Sequence, residues 1–464
     1  MLSVIQNDLS PLLTTAYASH RIDLIQMVLL RLIADSEGTS ADVYLPELLQ
    51  QLQQTSAAVS YAPEPLASAL QSISRSAESP VQPGLAAALA STNATDAPQK
   101  AAVRAVVRAI ATAEARPRSE IEASIVATKA KIAGLKTSSQ ELVIPEDTFT
   151  QYLRKRFPDQ PDIRASNLTP LPGGRSKGTI LFDLMSGGRT QSRVIRKDFA
   201  QDFMQCSVVD EFPLVRAAWQ AGLPIPEPYW LEEDASVIDG KFIVFARVSG
   251  TAAGTMFEMR TTPAVAKQAA AALAKLHAID IKAAGLADAL DFGRSTFAVR
   301  DMVLSSYEKH RANTSDNLLL ESAHAWLLNN LDCIDPRPVF VHGDCGFHNV
   351  LADGDKMTAL LDWELSHAGD PAEDLISCKA LVETIMPWQE FLDAYVAAGG
   401  KPVSVQRQHF FAVWKLVYYI TFADAARRMF ESGADPDLRL AAIGYNTHRR
   451  LQSNLARVLA MPPP

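Results

Sequence analysis

The chain has 464 residues, 48% hydrophobic and 21% charged, with a formal charge of −8 and a pI near 5.7. That length implies two or three domains, and the acidic balance argues against nucleic-acid or anionic-membrane partners. No run of eighteen apolar residues is present to span a membrane. Met1 to Asp8 lack the basic-then-apolar pattern of a signal peptide. Cys206, Cys333, Cys345 and Cys378 form no close pair, so a reducing cytoplasm is the expected compartment.

Residues 1–135 read as helical and carry no catalytic pattern. Ser10-Pro11 is a cap followed by proline at the first helical position, and Ile22, Ile25, Leu29 and Leu32 then recur at helical spacing. A second helical stretch starts near Leu45-Pro46-Glu47, and Val103, Val106, Val107 and Ile110 mark another. Ser119 with Glu122 forms a capping box for the last, which ends near Gly134. A helical bundle is expected, followed by a polar linker over 136–148.

Beyond the linker, Gly173, Gly174 and Gly178 sit in a turn ahead of an apolar strand. Glycines let backbone amides approach phosphate oxygens, although such a turn is equally an ordinary hairpin. The next strand contains Val194-Ile195-Arg196-Lys197. Alternation puts Arg196 on the face of Val194 and Lys197 on that of Ile195, and pattern alone does not choose between these cations. Pro213 would break a helix that began much earlier in the chain. Lys241 to Gly250 is an apolar strand running into a short polar segment. Residues after Pro263 become helical, and His277 closes that stretch as a packed structural histidine. Beyond Asp374 the chain is helical again, with an aromatic stripe of Phe411, Trp414, Tyr418 and Phe422.

Between these helices lies Val341-His342-Gly343-Asp344-Cys345-Gly346-Phe347-His348-Asn349-Val350, and then Leu360-Leu361-Asp362-Trp363-Glu364. Phosphoryl transfer from ATP needs one carboxylate to receive or orient the attacking hydroxyl's proton, and a carboxylate and an amide to hold metal ions. Asp344, Asn349 and Asp362 supply those groups in the order a kinase uses them. A hairpin through Asp353-Gly354-Asp355 would return Asp362 to Asn349.

The spacing H-G-D-x-x-x-x-N, then Asp362-Trp363, then Gly369-Asp370-Pro371-Ala372-Glu373-Asp374-Leu375 resembles the aminoglycoside phosphotransferase family of small-molecule kinases. The resemblance covers roughly the last 315 residues. It implies an α+β, bilobal protein-kinase-like fold preceded by the all-α domain. The N-lobe and hinge would span 149–248, with a five-stranded antiparallel sheet and one helix, and the C-lobe 249–464. It implies Asp344 as catalytic base, Asn349 and Asp362 as Mg²⁺ ligands, and Gly173, Gly174, Arg175 and Ser176 as the hairpin over the ATP phosphates. Family register favours Arg196 as the phosphate cation, with Lys197 at the solvent edge and Glu211 orienting the cation; Asp210 is the fallback. Phe245 to Val248 would be the adenine hinge, although Ala246 stands where the family has an acid. His342, Asp370 and Asp374 would brace the catalytic loop.

The glycine turn and the Gly222-Leu223-Pro224-Ile225-Pro226-Glu227-Pro228 run look most like the branch associated with acyl-CoA dehydrogenases, which phosphorylates hydroxyacyl compounds. The expected function is therefore phosphorylation of a small-molecule hydroxyl by ATP. An antibiotic kinase and an inactive kinase-fold binding module are the alternatives. A homo-oligomer mate or partner enzyme would dock on the N-terminal helices.

Overall fold

The structure is a computed structural model. It describes residues 48, 50–51, 62–64, 66–75, 85, 88–89, 98–112, 144–171, 177–199, 206–255, 258–290, 299–313, 317–334, 337–432, 440 and 442–461. The helices expected after Ser10-Pro11, near Leu45 and at Ser119, and the turn residues Gly173, Gly174, Arg175 and Ser176, lie outside the described residues.

Two compact units are present, each assembled from separated segments. One comprises Ser139–Phe297 and Asp335–Val403; the other comprises Met1–Ser138, Ala298–Ile334 and Ser404–Pro464. These are units of compactness, not the lobes expected above.

The first unit begins with helix α1 (Glu146–Arg156), which starts inside the stretch read as linker. Strands β1 (Arg164–Pro170), β2 (Lys177–Ser186) and β3 (Arg189–Asp198) follow. Helix α2 (Val208–Gln220) leads to β4 (Pro228–Glu232) and β5 (Phe242–Ala246). The five strands form one antiparallel sheet in the order β1-β2-β3-β5-β4. Gly187 and Gly188, at φ +57° and +71°, make the two-residue turn between β2 and β3, where both central residues need a left-handed backbone.

Strand alternation sorts the side chains. Ile180, Phe182, Ile195, Phe242 and Val244 form a core on one face, which α1 covers with Phe149 and Leu153. Phe149 meets Phe182 edge to face at 5.2 Å between centroids. The opposite face carries Thr179, Leu181, Val194 and Arg196. The sheet thus has two helices beside it, one more than expected.

Helix α2 opens on a capping box. The Ser207 hydroxyl accepts from the Val209 amide, and Asp210 accepts from the Ser207 amide. Pro213 lies inside the helix and removes one backbone donor without ending it. The short β6 (Thr251–Ala252) precedes α3 (Pro263–His277), whose alanine-rich face packs into a second core with Leu214, Val215, Phe340 and Phe391. Strands β7 (Val339–Val341), β8 (Val350–Asp353), β9 (Lys356–Leu360) and β10 (His367–Gly369) carry the acidic motifs. Helices α4 (Pro371–Val382) and α5 (Trp388–Ala397) complete the unit.

The second unit is helical in its described residues. The 27-residue helix Val405–Glu431 packs with Val299–Asn313, Leu318–Leu328 and His448–Ala460. Phe411 and Trp414 of the aromatic stripe are buried, and Tyr418 and Phe422 are half-buried. The helix expected around Val103 is present over 98–112, with Val103, Val106, Val107 and Ile110 fully buried. Lys100 on it pairs with Asp332 at 2.8 Å. Among the described residues no helix is long and apolar enough to cross a membrane.

Candidate active site

Strand β7 delivers His342-Gly343-Asp344 out of the sheet. Asp374, in the first turn of α4, holds this loop from behind. Its carboxylate accepts from the amides of His342 at 2.7 Å and Gly343 at 2.8 Å, and lies 3.1 Å from His277 Nε2. Burial opposes the Asp374 charge, but the hydrogen bonds from the His277 ring and the His342 amide hold the carboxyl below its ordinary range. His277 Nδ1 in turn meets the Tyr395 hydroxyl at 2.8 Å, so this histidine is structural, as expected. Asp370 is the N-cap of α4 and accepts from the Ala372 amide.

His342 links the loop to the second acidic motif. Its Nε2 lies 3.0 Å from the Leu361 carbonyl, and its Nδ1 accepts from the Asp344 amide at 3.3 Å. A carbonyl can only accept, so the proton sits on Nε2. Burial pushes the His342 pKa down, which matches a neutral ring making one donor and one acceptor contact. Gly343 has φ +83°, and a Cβ there would stand 2.1 Å from the Leu365 carbonyl oxygen. Only glycine fits.

The expected hairpin is formed by β8 and β9, turning at Gly354 with φ +57°. It returns the chain so that the Leu361 amide donates to the Asn349 carbonyl at 2.8 Å. The Asn349 side-chain amide donates to the Asp344 carbonyl at 3.0 Å and to Asp344 Oδ2 at 3.1 Å. Asp362 follows at φ +68°, a left-handed conformation uncommon outside glycine and found at strained functional positions. His348 lies 3.3 Å from Asp344 Oδ2. Burial works against its charge, but the hydrogen bond and charge of Asp344 raise its pKa above the usual value.

On the sheet side, Arg196 projects from β3 toward these acids. Its Nε and Nη2 donate to Glu211 at 3.0 and 3.1 Å. Nη2 also reaches Asp362 at 2.5 Å and Glu364 at 3.5 Å. Burial opposes the guanidinium charge, and the carboxylates of Glu211 and Asp362 outweigh it. Glu211 is itself pushed up by burial more than Arg196 lowers it. Glu211 rather than Asp210 is the partner of the cation, because Asp210 is committed to the helix cap.

Lys197 does not sit at the solvent edge. It is 4% exposed, and its ammonium donates to the carbonyls of Ile238 at 3.0 Å and Asp239 at 2.8 Å. The pleat of β3 turns it to the face of Ile195, away from Arg196. Burial lowers its pKa.

A cavity of about 720 Å³ opens between the Arg196 face of the sheet and the β8–β9 hairpin. Arg196, Glu211 and Asp362 line its polar end, and Leu181, Val194, Ile225 and Leu360 its apolar part. Phe245 and Val248 line it as well. The Ala246 and Arg247 amides already donate to Glu227 and Ser192 carbonyls. Glu364, Lys177 and His348 were assigned no role from sequence. Glu364 stands two residues after Asp362 and Lys177 directly before Gly178; those positions are the available signals.

The profile of the phosphotransferase enzyme family, APH, matches residues 167–410. Acyl-CoA dehydrogenase family member 11 of Gallus gallus is 31% identical over 231 residues, covering 47% of this chain and 28% of that protein. The Homo sapiens protein of that name is 26% identical over 250 residues, covering 50% and 31%. The match thus spans under a third of these relatives' length. A solved Ralstonia eutropha JMP134 structure, provisionally described as an aminoglycoside phosphotransferase, superposes with a TM-score of 0.51 at 19% identity, covering 67% of this chain and 98% of that one. That likeness establishes the kinase-like α+β fold.

Proposed function

Because the chain belongs to the phosphotransferase enzyme family, a family of small-molecule kinases, we propose that it transfers the γ-phosphoryl group of ATP to a hydroxyl of a hydroxyacyl compound. The observation that carries this reading is the junction of Arg196, Glu211 and Asp362 at one end of the cavity, tied through the β8–β9 hairpin to Asn349 and Asp344. The hydroxyacyl acceptor is supported by the acyl-CoA dehydrogenase relatives.

Asp344 receives the acceptor hydroxyl's proton as its oxygen attacks the γ-phosphorus and ADP leaves. Asn349 holds Asp344 through the 3.1 Å hydrogen bond, which leaves Oδ1 of its amide for a metal. Asp362 and Asn349 would hold Mg²⁺, which neutralises phosphate charge when bound. The residues fit that ion. Among the described residues, the carboxylates of Asp198, Glu211, Asp362 and Glu364 gather around the cations Lys177 and Arg196, four acids to two bases, which favours a bound cation. Among the described residues no three His, Cys, Asp or Glu side chains form a complete metal cage. Mg²⁺ at nucleotide sites is commonly held by one or two protein carboxylates together with the phosphates. Arg196, oriented by Glu211, turns from Asp362 to the phosphates. Gly173, Gly174, Arg175 and Ser176 cover them. Phe245 packs on the adenine and the Val248 amide donates to it, the two preceding amides being committed. The lobe limits at 149–248 and 249–464, the cytoplasmic setting, and a docking role for residues 1–135 toward a second copy or partner enzyme belong to the same proposal.

The test is ATP consumption by the purified chain against hydroxyacyl-CoAs, simple alcohols, amino alcohols, aminoglycosides and macrolides. Turnover with the hydroxyacyl-CoAs is expected. Turnover only with antibiotics would overturn the acceptor, and MgATP binding without turnover on any acceptor would make the chain a binding module.

A further inference from the structure

One buried cation beside this cavity enters the reading above only through its charge. Lys177 opens β2 and is 2% exposed. Lysine is almost never fully buried unless it is paired, because desolvating its ammonium carries a large penalty. The ammonium donates to the Cys206 carbonyl and lies 3.5 Å from Asp198 Oδ1 and 4.0 Å from Glu364 Oε2.

Each partner belongs to a different part of the site. Cys206 precedes Ser207, the N-cap of the helix that carries Glu211. Asp198 ends the strand that carries Arg196, and its carboxylate accepts from the Ser207 hydroxyl at 2.6 Å and the Val208 amide at 3.0 Å. Glu364 follows Asp362 by two residues and lies 3.5 Å from Arg196 Nη2. Strand alternation also places Lys177 on the face of Thr179 and Leu181, which line the cavity.

The geometry points to Lys177 as a positioning residue for the nucleotide site, acting through Glu364. The inference rests on the ATP reading of that site. Glu364 lies between two cations. Lys177 neutralises it from the first residue of β2, so that Arg196 need only answer Glu211 and Asp362. Without Lys177, Glu364 draws more strongly on the Arg196 guanidinium beside Glu211 and Asp362. Arg196 is then held by the protein at the expense of the phosphates, and Glu364 repels them directly. The second cation of the site is thus Lys177, not the Lys197 that adjoins Arg196 in sequence.

The test compares wild type, K177M, K177R, E364Q and K177M/E364Q by calorimetric titration with MgATP, steady-state kinetics and thermal melting. K177M should raise the Kd and KM for MgATP about ten-fold, the scale of one charge-assisted contact, with kcat nearly unchanged. K177R should restore most of the affinity. In the E364Q background K177M should add nothing, because the residue it acts through is already neutral. Wild-type affinity in K177M, no rescue by arginine, or additive losses in the double variant would each overturn the proposal. Should K177M fail to fold, K177Q/E364Q takes its place and must match E364Q alone; a further loss of affinity sinks the idea. Wild type that does not bind MgATP would instead refute the ATP reading itself, so the two failures are separable.

Discussion

Arg196 divides one guanidinium among Glu211, Asp362 and Glu364, and that division sets what its replacement should do. Arg196→Ala should weaken MgATP binding by about ten-fold or more, since a charge-assisted phosphate contact is lost. Lys197→Ala should leave nucleotide affinity near wild type and lower the melting temperature, because it strands two buried carbonyls, those of Ile238 and Asp239. Calorimetry and melting of both variants check this; stronger loss of nucleotide in Lys197→Ala would contradict it. At Asp344 the expected effect is on the chemical step. Asp344→Asn should keep MgATP affinity and lower kcat by about 10²–10⁴-fold, the range for a general base. Unchanged turnover would remove Asp344 from that role. The three acidic and amide groups were legible in sequence because their spacing is local to one loop and one hairpin. The roles of Lys177 and Glu364 were not, because their 4.0 Å pairing joins positions 177 and 364 and exists only in the fold. The solvent-edge expectation for Lys197 failed for a related reason: alternation separates two faces but does not say what covers either.

At the scale of elements, the catalytic loop depends on a glycine. Gly343→Ala would bring a Cβ against the Leu365 carbonyl in a backbone conformation alanine rarely adopts. A stability loss of about 1–3 kcal/mol or more is expected from denaturant unfolding; wild-type stability would show that the loop can shift at no cost. The β8–β9 hairpin was readable from turn chemistry, and Glu211 from the family resemblance; the Gly187-Gly188 turn between β2 and β3 was not read, because a Gly-Gly pair between polar flanks marks no strand register by itself. Helix α1 was missed because few of its residues are apolar. Only Phe149, Thr150 and Leu153 are buried, and the surrounding polarity resembles a linker. Its termini did carry a signal, with Glu146 and Asp147 in the first turn and Arg154, Lys155 and Arg156 in the last, matched to the helix dipole. The helices Val299–Asn313 and Leu318–Leu328 contribute stacked histidines, His310 and His324, 5.6 Å apart. Burial pushes their pKa values from 6.5 down to about 4 and about 3. In between, the unfolded chain binds protons that the folded chain does not. Their stabilising effect is therefore present above pH 6.5 and is lost as pH falls toward 4. The melting temperature should drop over that interval more steeply in wild type than in His324→Gln. Equal slopes would show that His324 does not contribute.

Over the whole molecule, the chain passes between its two compact units four times, and this was the least legible feature of all. Periodicity says that a segment is helical and which residues face inward; it does not say which distant helix completes the core. The sequence reading treats residues 1–135 as a separate bundle, so that a chain beginning near Lys136 should fold and bind MgATP unaided. The structure assembles Met1–Ser138 in one unit with Ala298–Ile334 and Ser404–Pro464, and Lys100 reaches Asp332 within it. Removing the first 138 residues therefore takes away part of a core, including the buried Val103, Val106, Val107 and Ile110, rather than an appendage. Uncovered apolar faces on the remaining helices would favour association. The expected outcome is a shortened chain whose sheet and β8–β9 hairpin still fold, but which melts well below the full chain and self-associates in sedimentation. The Arg196, Glu211 and Asp362 cluster belongs to the other unit, so whatever fraction stays soluble should still bind MgATP. A monomeric truncation with an unchanged melting temperature would return the N-terminal helices to the status of an independent domain. A soluble, folded truncation unable to bind nucleotide would make them part of the catalytic body.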